Sequence, residues 1–155
     1  SKKGEVFLIA GDGKLFRKIT RFIAEFSEPN KGRIIALGRV KYSELGELFA
    51  AADVAINTLE PKKVAHLALP NKVLQYLASG LPVVSTSLEG LRSVDRVSRE
   101  VMFAENPEQV MTHAIRVLRS ESRTESPRTN RLGDTYSAKH TIEILESRLN
   151  ALLRA

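Results

Sequence analysis

Five short apolar runs punctuate the chain: Val6–Ala10, Ile34–Leu37, Val54–Asn57, Pro82–Thr86 and Val101–Phe103. Each is continuous rather than alternating, the pattern of a strand covered on both faces. Between the runs, apolar residues recur at helical spacing. Leu15, Ile19, Phe22, Ile23 and Phe26 form one set. Leu45, Leu48, Phe49 and Ala52 form a second, with Ser43 placed to cap it. Val73, Leu74 and Leu77 form a third, and Val110, Ala114, Val117 and Leu118 a fourth. Strands alternating with helices over short connections predict an α/β fold: a Rossmann-like, doubly wound parallel sheet with helices on both faces and right-handed crossovers.

The remainder of the chain reads differently. Residues 120–135, SESRTESPRTNRLGDT, are polar and aperiodic, a connector rather than an element. A last amphipathic helix is predicted over 137–153, with Ile142, Leu145, Leu149 and Leu152 on one side. No internal repeat is present. The 155 residues, 43% of them hydrophobic, suit one domain or one half of a two-domain enzyme. There is no cysteine, which removes disulfides, thiolate metal sites and a cysteine nucleophile, and fits a reducing compartment. His66, His113 and His140 lack metal-ligand spacing, and the helical pattern puts two of them on solvated helix faces. No apolar run approaches the roughly 20 residues of a membrane span. The opening SKKGEVFLIAG meets Gly-Asp-Gly after about five apolar residues, so it reads as a strand and not as a secretory signal. So abrupt a start is expected of a piece of a longer protein.

Ligands of doubly wound sheets bind outside the carboxyl ends of the strands. That directs attention to the loops Gly11–Lys14, Gly38–Tyr42, Thr58–Asn71 and Ser85–Leu91. Gly11 and Gly13 after the first strand would let backbone approach an anion at the next helix start, although a plain turn explains them equally well. The G-x-G-x-x-G pattern is not completed, because position 16 is Phe, and there is no Walker A sequence. Gly38, Arg39 and Val40 after the second strand could meet a flat base edge through backbone, or form a turn with a solvated arginine. The loop from Thr58 to Asn71 exceeds the usual length of about two to six residues and carries Glu60, Lys62, Lys63 and His66. Asn71 is placed to cap the following helix, which puts Lys72 in its first turn. A cation there opposes the helix dipole unless an anion lies between them, and a phosphate or diphosphate answers that description. Gln75 shares the face of Lys72 and could bond a sugar hydroxyl; both could equally be surface residues.

The stretch PNKVLQYLASGLPVVST resembles the donor-binding signature of GT-B glycosyltransferases of the group 1, family 4-like kind, P-x-K-x-x-E-Y-[ML]-A-x-G-x-P-V-V. Pro70, Lys72, Tyr76, Leu77, Ala78, Gly80, Pro82, Val83 and Val84 match it. VFLIAGDGK, IIALGRVKYSELGELFAAADVAINTLEP and FAENPEQVMTHAIRVLRSE are similar, in the same order, to further sections of that family. The resemblance implies that 1–155 is a single nucleotide-sugar binding domain, the C-terminal half of such an enzyme, lacking the acceptor-binding half and the first strand and Gly-Arg…Lys-Gly loop of its own half. It implies transfer of a sugar, a hexose in many relatives, from a nucleotide-diphosphate donor such as a UDP-sugar to a glycan or lipid-linked saccharide acceptor, as in polysaccharide biosynthesis. By position, Lys72 with Asn71, Gly11 and Gly13 would meet the diphosphate. Gln75, Gly38, Arg39 and Val40 would lie near ribose and base. Glu60, Leu69 and Pro70, just before Lys72, would face the transferred sugar.

This chain departs from the pattern at two positions. Gln75 stands where the family usually has Glu, and Leu67 where many members carry a second Glu eight residues earlier. A neutral amide still donates and accepts hydrogen bonds, without the strength of a carboxylate. The resemblance implies no cofactor and no metal, since helix starts and basic side chains meet the leaving diphosphate; the chain has no D-x-D. No general base is assigned, and the isolated chain is expected to be inactive. A non-catalytic nucleotide-sugar-binding module and a GT-B type nucleotide-sugar epimerase stay open as alternatives. The net charge of +6 also admits nucleic acid or an anionic membrane surface. Basic residues are dispersed and aromatics are 6%, so no nucleic-acid partner is expected. The expected location is cytoplasmic, with peripheral association at the inner membrane surface left open.

Overall fold

A computed structural model describes residues 4–25 and 33–120. The chain divides after Glu47 into two compact units. All the described strands pair in parallel, in an α/β arrangement.

The first unit contains β1 (Phe7–Ala10), α1 (Phe16–Glu25), β2 (Ile34–Gly38), a 3-10 turn at Tyr42–Glu44 and the start of α2 (Leu45–Ala51). Phe7 lies opposite Ile34 and Ala10 opposite Gly38, with the register slipping between Ile9 and Ala10. Helix α1 packs on β2 through a half-buried stripe of Phe16, Ile19 and Ile23. Leu15 and Phe22, expected on the same stripe, are exposed. Leu15 sits in the turn ahead of the helix, and Phe22 is rotated off the stripe by one residue. Phe26 lies outside the described residues. The expectation of strands covered on both faces also fails here. Both strands alternate, and Leu8, Ile35 and Leu37 remain 38%, 40% and 41% exposed on one face. Ser43 is not a cap; it lies within the 3-10 turn, where the Lys41 N–H donates to Glu44 Oε2 at 3.2 Å.

The second unit begins with the rest of α2 and continues through β3 (Ala55–Asn57), a 3-10 turn at Lys63–Leu67, α3 (Asn71–Ala78), β4 (Val83–Thr86), α4 (Glu89–Arg92), α5 (Asp95–Glu100), β5 (Val101–Ala104) and α6 (Pro107–Arg119). Its sheet has the order β3-β4-β5. Ala55 opposes Val83, and Val83 opposes Val101. Here helices do cover both faces. On one, Val73 and Leu77 of α3, Leu88, Leu91 of α4 and Val97 of α5 pack on Ala55, Val83 and Val101, with Phe49 and Tyr76 at the margin. On the other, Val110 and Ala114 of α6 pack on Val84 and Ala104. Every residue of β4 is buried.

Local chemistry sets the helix ends. Asn106 Oδ1 accepts the Gln109 N–H at 2.9 Å, and Pro107 occupies the first helical position of α6, where its missing N–H costs nothing. Helix α3 stops in a Schellman arrangement: Leu81 N–H donates to the Tyr76 carbonyl and Gly80 N–H to that of Leu77. Gly80 stands at φ 72°, a conformation that a Cβ disfavours. The chain turns there and leads Pro82 into β4, so the position of α3 relative to the sheet edge is fixed. Among the described residues no helix is long and apolar enough to cross a membrane. The predicted connector beyond Ser120, the helix over 137–153 and His140 lie outside the described residues.

Candidate functional site

In the second unit, β3 and β4 end side by side in polar residues. Asn57, Ser85 and Thr86 are fully buried at this carboxyl edge. Asn57 Nδ2 donates to Ser85 Oγ at 2.8 Å, and that hydroxyl donates to the Thr86 carbonyl at 2.8 Å. The Thr86 hydroxyl donates to the carbonyl of Leu59, the second residue of the loop after β3. Asn57 Oδ1 is buried without a hydrogen-bond partner among the described residues. None of these three side chains was singled out from the sequence. The only local signal was a polar residue closing an apolar run.

The loop that leaves β3 leads to α3. Glu60 and Lys62 form an exposed ion pair. A 3-10 turn follows at Lys63–Leu67, then exposed Leu69 and half-buried Pro70. The far end of the loop rests on α4. His66 Nε2 lies 3.5 Å from Glu89 Oε2, with His66 Nδ1 buried and without a hydrogen-bond partner among the described residues. Gly90 is packed so closely that a Cβ there would overlap the backbone carbonyl oxygens of Leu67 and Ala68. The histidine–carboxylate contact joins residues far apart in sequence and had no local signal. His113, expected with the solvated histidines, is half-buried on α6, because that helix packs on the sheet; its Nδ1 has no hydrogen-bond partner among the described residues.

Pro70, not Asn71, is the N-cap of α3; its extended backbone (φ −66°, ψ 121°) presents its carbonyl to the Val73 N–H at 2.9 Å. Asn71 is therefore the first helical residue and Lys72 the second. No ion pair joins Lys72 to a carboxylate among the described residues. More than a third of Lys72 is exposed, yet its ammonium lies near enough to the protein for desolvation to lower its pKa. A cation is thus held, unpartnered and partly desolvated, in the first turn of an eight-residue helix, beside free backbone N–H groups. Gln75 is half-buried one turn on, and its backbone carbonyl accepts Ser79 Oγ at 2.9 Å. Tyr76 packs edge-on to Phe49, with ring centres 5.3 Å apart, and burial raises its pKa.

The other candidates belong to the first unit. Gly11 follows β1 at φ 136° and Gly38 closes β2 at φ 69°. They meet, with the Gly11 N–H donating to the Gly38 carbonyl at 2.7 Å. The carbonyl of Gly13 accepts the Phe16 N–H at 2.8 Å in the turn into α1. Arg39 is exposed and Val40 half-buried just past β2. Among the described residues, no group of three or more His, Cys, Asp and Glu side chains could hold a metal ion.

A family model described as glycosyl transferases group 1 matches residues 1–120. No curated protein and no solved structure matches the chain.

Proposed function

The chain belongs to the glycosyl transferases group 1, and on that premise we propose that the start of α3 binds the diphosphate of a nucleotide-sugar donor. The observation that carries this reading is Lys72: a partly desolvated ammonium without a carboxylate partner among the described residues, set at a helix N-terminus where two positive sources converge. An anion between them relieves both. Asn71 flanks it, and Gln75, one turn on, is placed to bond a ribose hydroxyl. Glu60, Leu69 and Pro70, on the loop that runs into Lys72, face the sugar. Gly11, Gly13, Gly38, Arg39 and Val40 keep the donor roles that the resemblance implies for the first unit.

The reaction is transfer of a hexosyl group. The bond between the anomeric carbon and the diphosphate oxygen breaks, and a bond forms from that carbon to an acceptor hydroxyl, whose proton leaves. Negative charge develops on the departing nucleoside diphosphate. The Lys72 ammonium and the α3 N–H groups stabilise it, with no metal required for that step. UDP is the proposed nucleotide. The proposed acceptor is a glycan or lipid-linked saccharide.

Calorimetric titration with UDP, GDP and ADP, beside Lys72→Ala, tests the reading. One nucleotide is expected to bind in the micromolar range, weakened at least tenfold in the variant, about 1.4 kcal/mol. Equal affinity in both proteins contradicts the role of Lys72.

A further inference from the structure

The loop between β3 and α3 is fixed at both ends by the last residue of β4 and the segment that follows it. At its start, the buried Thr86 hydroxyl holds the Leu59 carbonyl. Near its end, Gly90 admits the Leu67 and Ala68 carbonyls into space that any side chain would occupy. Between these, His66 meets Glu89. The middle of the loop is internally braced as well: Ala65 N–H bonds the Lys62 carbonyl at 3.0 Å, and Ala68 N–H that of Ala65 at 3.1 Å. Thr86 is itself held in the polar chain that begins at Asn57. Three contacts of different chemistry, drawn from five consecutive residues, therefore converge on one loop. Structural stability alone does not ask for this arrangement. Packing of β4 would be served by an apolar residue in place of Thr86, and α4 is too short to need a glycine for its own sake.

We propose that Thr86, Glu89 and Gly90 are positioning residues for donor recognition: they hold loop 59–68 in the shape that reads the transferred sugar, while Lys72 reads the diphosphate. The proposal rests on the donor reading above and deepens it. It divides the labour between two parts of the second unit. Nucleotide affinity resides at the start of α3, and the added affinity for the sugar depends on a loop set from β4 and α4. A pre-formed loop loses little conformational entropy on binding, so loosening it weakens recognition without removing a contact.

The test compares UDP with UDP-glucose, GDP with GDP-mannose, and ADP with ADP-glucose on the whole chain, taking the ratio of the two dissociation constants in each pair. Thr86→Val removes the hydroxyl at nearly constant volume. It is expected to lower the preference for the nucleotide sugar over its nucleotide by about fivefold, the usual worth of one hydrogen bond. Thr86→Ser is expected to restore it. Glu89→Ala, at an exposed position that the fold does not need, is expected to lower it by less. Hydrogen exchange at the Ala65 and Ala68 amides is expected to speed up in Thr86→Val and Glu89→Ala with the melting temperature of Glu89→Ala unchanged. Unaltered exchange overturns the proposal, and so does faster exchange with the sugar preference intact. Two further outcomes separate the two levels. Weakened nucleotide binding in Lys72→Ala, with sugar preference unaffected by Thr86→Val, overturns the positioning role alone. No binding of any of the six compounds overturns the donor reading and this proposal with it.

Discussion

The sheets of the two units are built from similar apolar runs and meet different surroundings. In the second unit, β4 carries Val83, Val84, Ser85 and Thr86, all buried, between α3, α4 and α5 on one face and α6 on the other. In the first, β1 carries Phe7, Leu8, Ile9 and Ala10, which alternate between half-buried and exposed, and α1 packs on β2. The comparison separates two properties that one hydrophobic run encodes together. The run specifies extended backbone and parallel pairing. Whether a face is covered depends on which other elements reach it, and that is a property of topology. It also explains where polar groups can be used. Among the described residues, only in the doubly covered sheet do strand-end side chains lie out of water, and only there does a chain of side-chain hydrogen bonds gain from the low dielectric around it.

The largest effect that bears on this contrast is expected from the core. Leu91→Ala, at a fully buried position, is expected to cost about 2–5 kcal/mol in urea unfolding. Leu37→Ala, on the open face of β2, is expected to cost about 1 kcal/mol or less. Equal losses at the two sites break the comparison. Next come the glycines. Gly80→Ala forces a side chain into the left-handed region that ends α3, and a loss of about 1–2 kcal/mol is expected. Gly46→Ala, inside α2 with open space around the added methyl, is expected to raise stability by about 0.5–1 kcal/mol. A loss at Gly46 as large as that at Gly80 removes the distinction between a glycine required by backbone and one that is not.

The smallest expected effect on stability, and the most informative about function, is at Lys72. Its pKa is lowered in the folded protein, so the folded state holds fewer protons than the unfolded chain at pH values between its lowered pKa and the ordinary one. Stability is therefore expected to rise as pH increases through that window, and this increment is expected to vanish in Lys72→Met. At neutral pH the same variant removes a desolvated charge without breaking an ion pair among the described residues. Its urea midpoint is expected to stay level or increase while nucleotide affinity falls. A lower midpoint would show that the ammonium stabilises the free protein.

Much of this was legible in the sequence, for physical reasons that differ by element. The five strands lie within a residue of their apolar runs, because burial on both faces or in a parallel pair demands continuous hydrophobicity. The place of Lys72 in the first turn of α3 was legible, and it drew notice because a cation there is an electrostatic exception beside an otherwise apolar helix. The cap of α3 was misplaced by one residue, because Pro70 fills with fixed backbone the role that an asparagine side chain could have played. Helices α4 and α5, four and six residues long, escaped notice because no periodicity can be established over so short a span. The Thr86 contact with Leu59 joins residues 27 positions apart, and His66 with Glu89 is likewise set by tertiary packing. The open face of β1 and β2 was not legible either, since nothing in VFLIA distinguishes it from a run that will be covered.

In the proposed function, Lys72 is a cation that awaits an anion. The most direct measurement is the pKa of its ammonium, followed by NMR of Lys-selectively labelled protein, free and with a nucleoside diphosphate bound. In the free protein it is expected below 10.5, since burial disfavours the charged form. With the diphosphate bound it is expected to rise above its free value, because the neighbouring negative charge favours the ammonium. An unchanged pKa under saturating nucleotide would contradict the account, for it would place the diphosphate away from the start of α3.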